Sequence, residues 1–144
     1  MSTHGKEAIA KFKAEHPLAR RQTTSQEYSV NKKGEKLVPV IAFPGDSNTP
    51  SAVSSTKETD AGGVEVKTDK QRYKFLVPSN DTFGRFIGAF RKYVPIEETH
   101  ALFFLTSTGV MIPVSALMSN VYERYKDEDG FLYVLYAKEN TFGM

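Results

Sequence analysis

Three histidines and no cysteine mark how little nucleophilic or metal-binding chemistry this sequence can offer. His4 stands near the N-terminus, His16 in a helix-opening turn before Pro17, and His100 ahead of an apolar run. None has a partner at the spacing that a metal site or a catalytic triad needs. The missing thiols remove thiolate nucleophiles, thiolate ligands and disulfides together, and are compatible with a reducing compartment. The sequence also has no glycine loop of the phosphate-cradling type. An enzyme is not expected, and neither a metal nor another cofactor is implied.

Charge is distributed unevenly. The formal net charge is +2, but residues 1–36 hold eight Lys/Arg against four Asp/Glu, while the remainder holds eleven against thirteen. A basic excess of that size without a nucleic-acid motif reads as a solvated surface, so no nucleic-acid partner is expected. Met1-Ser-Thr-His-Gly-Lys-Glu7 lacks the apolar core of a secretory signal. The least polar stretch, 101–118, is broken by Thr106 to Gly109 and by Pro113, so it offers no spanning segment. With 144 residues, 40% hydrophobic and 25% charged, the composition suits one compact domain. A chain of this length buries roughly two-thirds of its unfolded surface and needs no metal or disulfide to hold together.

The elements follow from periodicity. Residues 3–30 read as two short helices, with Ile9 and Phe12 apolar and Pro17 opening the second, where a missing N–H costs little. Leu37 to Phe43 reads as a first strand, in which Pro39 predicts an edge or a bulge. From Pro44 to about Thr68, Ser, Thr, Gly, Asp and Pro dominate, predicting a disordered insert at about 44–68, with a regulated, phosphorylated loop as its functional alternative. Tyr73 to Val77 is the next strand. Asn80, Asp81 and Thr82 can cap a helix running to about Tyr93, whose Phe83, Phe86, Ile87 and Phe90 share one face. Gly84 and Gly88 in that helix predict a close approach to a sheet.

Leu102 to Leu105 reads as a third strand, Gly109 as a turn and Val110 to Ile112 as a short fourth strand. Val114, Leu117, Met118, Val121, Tyr122 and Tyr125 keep helical spacing. In Phe131 to Tyr136 both alternating sets are large and apolar, so both sides of this strand must be covered, one by the 82–93 helix and the other by the N-terminal pair. The expected fold is α+β, a β-grasp (ubiquitin-like) mixed sheet with two additional N-terminal helices. Residues 1–36 form the helical extension packed on the sheet, 37–138 the grasp domain and 139–144 a flexible tail.

Several local strings are more specific than this order. They are Glu15-His16-Pro17, Val38-Pro39-Val40-Ile41, Phe75-Leu76-Val77-Pro78, Ala116-Leu117-Met118-Ser119, Tyr122 to Asp129, Gly130-Phe131-Leu132-Tyr133 and Glu139-Asn140-Thr141-Phe142-Gly143. Together they make the chain resemble the autophagy ubiquitin-like modifier family, the class that includes GABARAP. The resemblance spans both helices and the grasp domain and fails at the 44–68 insert, which is longer than the family's usual connection.

That resemblance implies that a cysteine protease cuts between Gly143 and Met144, with Phe142 helping to seat the tail. Activating and conjugating enzymes then carry the Gly143 carboxyl to the amine of phosphatidylethanolamine. Glycine suits the passage because no Cβ crowds the acyl carbon and its backbone is permissive. Two acyl chains hold a protein on a bilayer where one, with an association constant of about 10⁴ M⁻¹, does so only marginally. The implied locations are the cytoplasm and, after lipidation, the autophagosome membrane, with a monomer before conjugation.

It also implies recruitment of cargo receptors through aromatic-x-x-aliphatic segments that add a strand beside Tyr73 to Val77. The matching residues are Pro39, Lys74, Leu76 and Phe131 for a first pocket and Phe75, Val77, Pro78 and Phe86 for a second. Lys74 and Arg91 would pair with acidic flanks. Asp81 and Ala89 stand where the family has larger apolar groups, implying a wider or more polar second pocket. Thr24 aligns near the usual acidic residue, and Leu37, after Lys36, stands where a basic one is expected. The rival reading is a ubiquitin-like adaptor that is never conjugated, such as a scaffold whose basic N-terminus contacts the microtubule surface.

Overall fold

A computed structural model describes residues 4–45, 56–59, 63–69, 72–93 and 101–137. Helices α1 (His4–Glu15) and α2 (Leu18–Tyr28) are followed by strands β1 (Leu37–Pro44), β2 (Thr56–Thr59), β3 (Glu65–Asp69) and β4 (Arg72–Pro78). Helix α3 (Phe83–Tyr93), strand β5 (Phe103–Thr106), helix α4 (Met118–Tyr125) and strand β6 (Leu132–Ala137) complete the order. The six strands form one mixed sheet in the order β2-β3-β4-β1-β6-β5, with β1 and β6 parallel and the other neighbours antiparallel.

The alternation in β6 decides the layering. Leu132, Val134 and Tyr136 enter a core with Phe83, Phe86 and Phe90 of α3, while Phe131, Tyr133 and Leu135 enter a second core with Ile9 and Phe12 of α1. One strand is thus covered by helices on both faces, as its sequence requires. The three phenylalanines of α3 are fully buried and meet Phe104 edge-on, with centroids 5.0–5.5 Å apart. At the start of α3 the Thr82 hydroxyl accepts from the Arg85 N–H at 3.2 Å. The exposed donors of Phe83 and Gly84 go to the carbonyls of Ala116 and Val114.

Five expectations from the sequence are corrected. The 44–68 insert is not one unstructured loop: it contributes β2 and most of β3, and Val64 and Val66 are fully buried in the α3 core. Its polar, glycine-rich composition hides two β-branched residues at strand spacing, and the neighbouring β4 supplies the ladder that local composition cannot. Val110 to Ile112 forms no strand, only an isolated bridge between Leu105 and Met111. Helix α4 starts at Met118; Val114 and Leu117, 62% and 41% exposed, belong to a non-helical turn segment whose backbone caps α3. Pro39 sits in a strand flanked on both sides, where the ladder with β6 begins only at Val40, so the missing N–H costs nothing there. Finally, Gly84 abuts the Val114 segment rather than the sheet, and Gly88 faces open space.

Candidate functional site

Strand β4 presents two faces. Register pairs Pro39 with Leu76 and Ile41 with Lys74, which puts Leu76 and Lys74 on the face that carries α1 and α2. Tyr73, Phe75 and Val77 point into the α3 core on the other face. The residues expected to form two pockets therefore fall on opposite sides of one strand.

On the first face, a cavity of about 240 Å³ opens between the N-terminal helices and the sheet. Lys74 and Phe131 line it together with Phe12 and His16 of the α1 end and Arg20, Arg21, Thr24 and Tyr28 of α2. Phe131 is buried at its floor, and the partly exposed His16 ring packs at a tilt against Phe12 with centroids 4.4 Å apart. Pro39 and Leu76 are buried beside it rather than lining it. Of the first-pocket residues, the structure thus brings Lys74 and Phe131 to one cavity with Thr24.

The cavity is basic. Arg21 is committed elsewhere: its Nη1 donates to Asp129 Oδ2 at 2.8 Å and its Nε to the His16 carbonyl at 2.8 Å. Burial alone would lower the Arg21 pKa, but the Asp129 carboxylate and Tyr133 outweigh it and hold the guanidinium above its ordinary value. Arg20, exposed, and Lys74, half-buried, also flank the opening, with Thr24 supplying only a hydroxyl. An apolar floor under two cations fits an aromatic or aliphatic side chain carried by an acidic segment.

On the second face, Phe75, Val77 and Phe86 are fully buried, and the Phe75 and Phe86 rings meet edge-on at 5.1 Å. Pro78 is half-buried. Val66 lies across from Phe75 in the β3–β4 ladder, and a Cβ at Gly63 would lie 3.6 Å from Pro78 Cγ. The second-pocket residues are brought together but are covered by the insert. Ala89 is buried in the same core, and the buried Asp81 Oδ2 has no hydrogen-bond partner among the described residues. Arg91, half-buried in the last turn of α3, belongs to this face and stands apart from Lys74.

Phe142, Gly143, Met144 and His100 lie outside the described residues. Among the described residues no group of three or more His, Asp or Glu side chains is placed to hold a metal, and no helix is long and apolar enough to cross a membrane. The cavity residues Arg20, Arg21 and Tyr28 were not singled out by sequence reasoning, and Phe12 was read only as an apolar helix residue. Their only signal is the basic, amphipathic character of the N-terminal helices, which does not tell a cavity wall from a solvated face.

Residues 48–143 match the family described as autophagy protein Atg8, ubiquitin-like. The chain is 35% identical over 137 residues to autophagy-related protein 8d of Arabidopsis thaliana, covering 95% of this chain and 98% of that protein. It is 34% identical over 135 residues to autophagy-related protein 8 of Dictyostelium discoideum, covering 94% and 95%. The crystal structure of Trypanosoma brucei ATG8 superposes with a TM-score of 0.65 at 32% identity, covering 88% of this chain and 92% of that one.

Proposed function

The chain belongs to the Atg8 family of autophagy ubiquitin-like proteins, and from that premise we propose that it is a modifier whose Gly143 carboxyl is exposed by cleavage before Met144 and joined to phosphatidylethanolamine. The observation that carries this reading is that the family match extends through Phe142 to Gly143. In the proposed sequence, the freed carboxylate attacks the α-phosphate of ATP on an activating enzyme and releases pyrophosphate. An enzyme cysteine displaces AMP to form a thioester, and the lipid amine displaces that thiol to leave an amide. The chain is the substrate in each step, never the catalyst, and a glycine at the acyl position keeps each enzyme cleft unobstructed. Two acyl chains then attach the protein to autophagosome membranes for useful times.

The domain's second role in this reading is to recruit cargo receptors and adaptors carrying aromatic-x-x-aliphatic segments. Lys74 and Phe131 engage the first anchor and Phe75, Val77, Pro78 and Phe86 the second, with Pro39 and Leu76 supporting the wall and Arg91 pairing with an acidic flank. Support comes from the basic cavity over an apolar floor beside β4.

The test is to incubate the chain with lysate of actively autophagic source cells and weigh the product. Loss of one methionine, followed by a gain of one phosphatidylethanolamine that Gly143→Ala abolishes, is the expected result. A mass that stays unchanged overturns conjugation and leaves an adaptor that is never conjugated.

A further inference from the structure

We infer that the Gly63–Asp69 segment is an internal ligand of the peptide groove, so that a strand-adding partner must displace it. The inference rests on the groove reading above and adds to it an occupant that is already in place.

A strand has two edges, and both edges of β4 are taken. β1 pairs with it from Leu37↔Pro78 to Ala42↔Tyr73, and β3 pairs with it from Glu65↔Leu76 to Asp69↔Arg72. A partner adding a strand beside Tyr73 to Val77 needs the N–H and C=O groups that β3 already uses, so the two are mutually exclusive. The side chains repeat the competition. Val64 and Val66 are fully buried in the cluster that holds Phe75, Val77 and Phe86, and Gly63 runs against Pro78. Those four are the residues assigned to the second anchor. Between the valines, half-buried Glu65 stands opposite Leu76 on the face that carries Lys74, as the acidic residue of a bound segment would.

The same geometry makes the occupant displaceable. Strand β2 pairs only with β3 at the outer edge of the sheet, so it adds no second layer of support. Of the segment from Gly63 to Val66, whose burial is described, the two small side chains Val64 and Val66 enter the core. An incoming segment with an aromatic and a large aliphatic anchor offers more apolar area than two valines, and so can compete for the same place.

The probe is a synthetic Glu-Glu-Trp-Glu-Glu-Leu peptide titrated calorimetrically into the full chain. Apparent affinity is reduced by the fraction of molecules in which the groove is open, so Val64→Asp with Val66→Asp should tighten binding about tenfold or more. The converse variant is Lys67→Cys with Lys74→Cys, which stand opposite each other in the ladder of a chain with no other cysteine. Its oxidised form should lose binding and its reduced form regain it, a comparison within one protein that cancels the missing lysine. Equal binding by oxidised and reduced forms, with the two-valine variant no tighter than the parent, overturns the internal ligand and leaves the groove reading intact. No binding by any form, the two-valine variant included, overturns both.

Discussion

Arg21 donates from Nη1 to Asp129 Oδ2 across 2.8 Å, and Tyr133 donates to that same oxygen from the strand that begins three residues later. Asp129 Oδ1 accepts from the Phe131 N–H at 2.9 Å, and its backbone carbonyl accepts from the Ser25 hydroxyl. A fully buried carboxylate, holding three donors on its two oxygens, thus ties α2 to the turn before β6. Because α2 also forms one wall of the basic cavity, this ion pair fixes the distance between that wall and the Phe131 floor. The link between sequence and binding runs here through a polar group rather than through the core.

Removing one partner of a buried pair leaves the other charged, desolvated and unpaired. Asp129→Ala is expected to lower stability by about 3–5 kcal/mol. Arg21→Lys keeps the charge but gives up the planar fork that also reaches the His16 carbonyl, and should cost about 1 kcal/mol. Urea unfolding checks both through the transition midpoint, with the denaturant slope unchanged.

Alkali should destabilise the protein through two phenols. Burial first, then the hydrogen bond to Asp129 and its charge, raise the Tyr133 pKa far above its ordinary 10.0, and burial followed by Tyr73 raises that of Tyr136. Below pH 10 the folded and unfolded chains both hold these protons, so the stabilisation is complete. Above it the unfolded chain releases them first, and stability falls as pH rises toward the raised folded values. Urea midpoints should therefore hold steady up to about pH 9 and drop by about pH 11, and Tyr133→Phe or Tyr136→Phe should each flatten part of that drop. A midpoint as high at the upper pH as at the lower one would contradict the prediction.

What could be read from sequence was whatever repeats locally. The two apolar sets of β6 predicted a strand buried on both faces, and the Phe83, Phe86 and Phe90 spacing predicted the helix that covers one of them. Val114 and Leu117 kept the same spacing, but they stay exposed, because that run supplies carbonyls to the start of α3 instead of a face to the core. Val64 and Val66 are too few to announce a strand among Ser, Thr and Gly; only β4 beside them makes one. Arg21 and Asp129 stand 108 residues apart, and no periodicity connects them. The cavity was half legible for the same reason: Lys74 and Phe131 lie in recognisable strings, whereas Arg20 and Tyr28 become its wall only once α2 is docked.

Gly130 is held in the left-handed region at φ +88°, and a Cβ there would run into the Ser25 hydroxyl that bonds the Asp129 carbonyl. Gly34 has a similar φ of +82°, but nothing lies within 4 Å of its Cβ position. Gly34→Ala should cost about 1–2 kcal/mol for the backbone alone. Gly130→Ala adds the clash and a lost hydrogen bond, a further 0.5–1.5 kcal/mol or so. Thermal melts of the two variants test this, and equal losses would show that Ser25 gives way freely.

Selectivity of the first cavity should follow charge more than shape. Arg20 and Lys74 flank an opening floored by Phe131, and Arg21 pairs with Asp129. Exposed ion pairs contribute about 0.2–1 kcal/mol each, so Arg20→Ala or Lys74→Ala should weaken a peptide with acidic flanks by roughly 1.5- to 5-fold. The same peptide with neutral flanks should bind both variants as it binds the parent. Thr24→Glu sets a carboxylate in the cavity wall and should repel the acidic flank while sparing the neutral one. Raising ionic strength to about 1 M shortens the screening length to about 3 Å, so the distinction between the two peptides should collapse. Affinities measured by calorimetry within one background, at low and high salt, decide it. If Arg20→Ala and Lys74→Ala weaken both peptides equally at every salt concentration, the cations act by packing their stems and not by their charge.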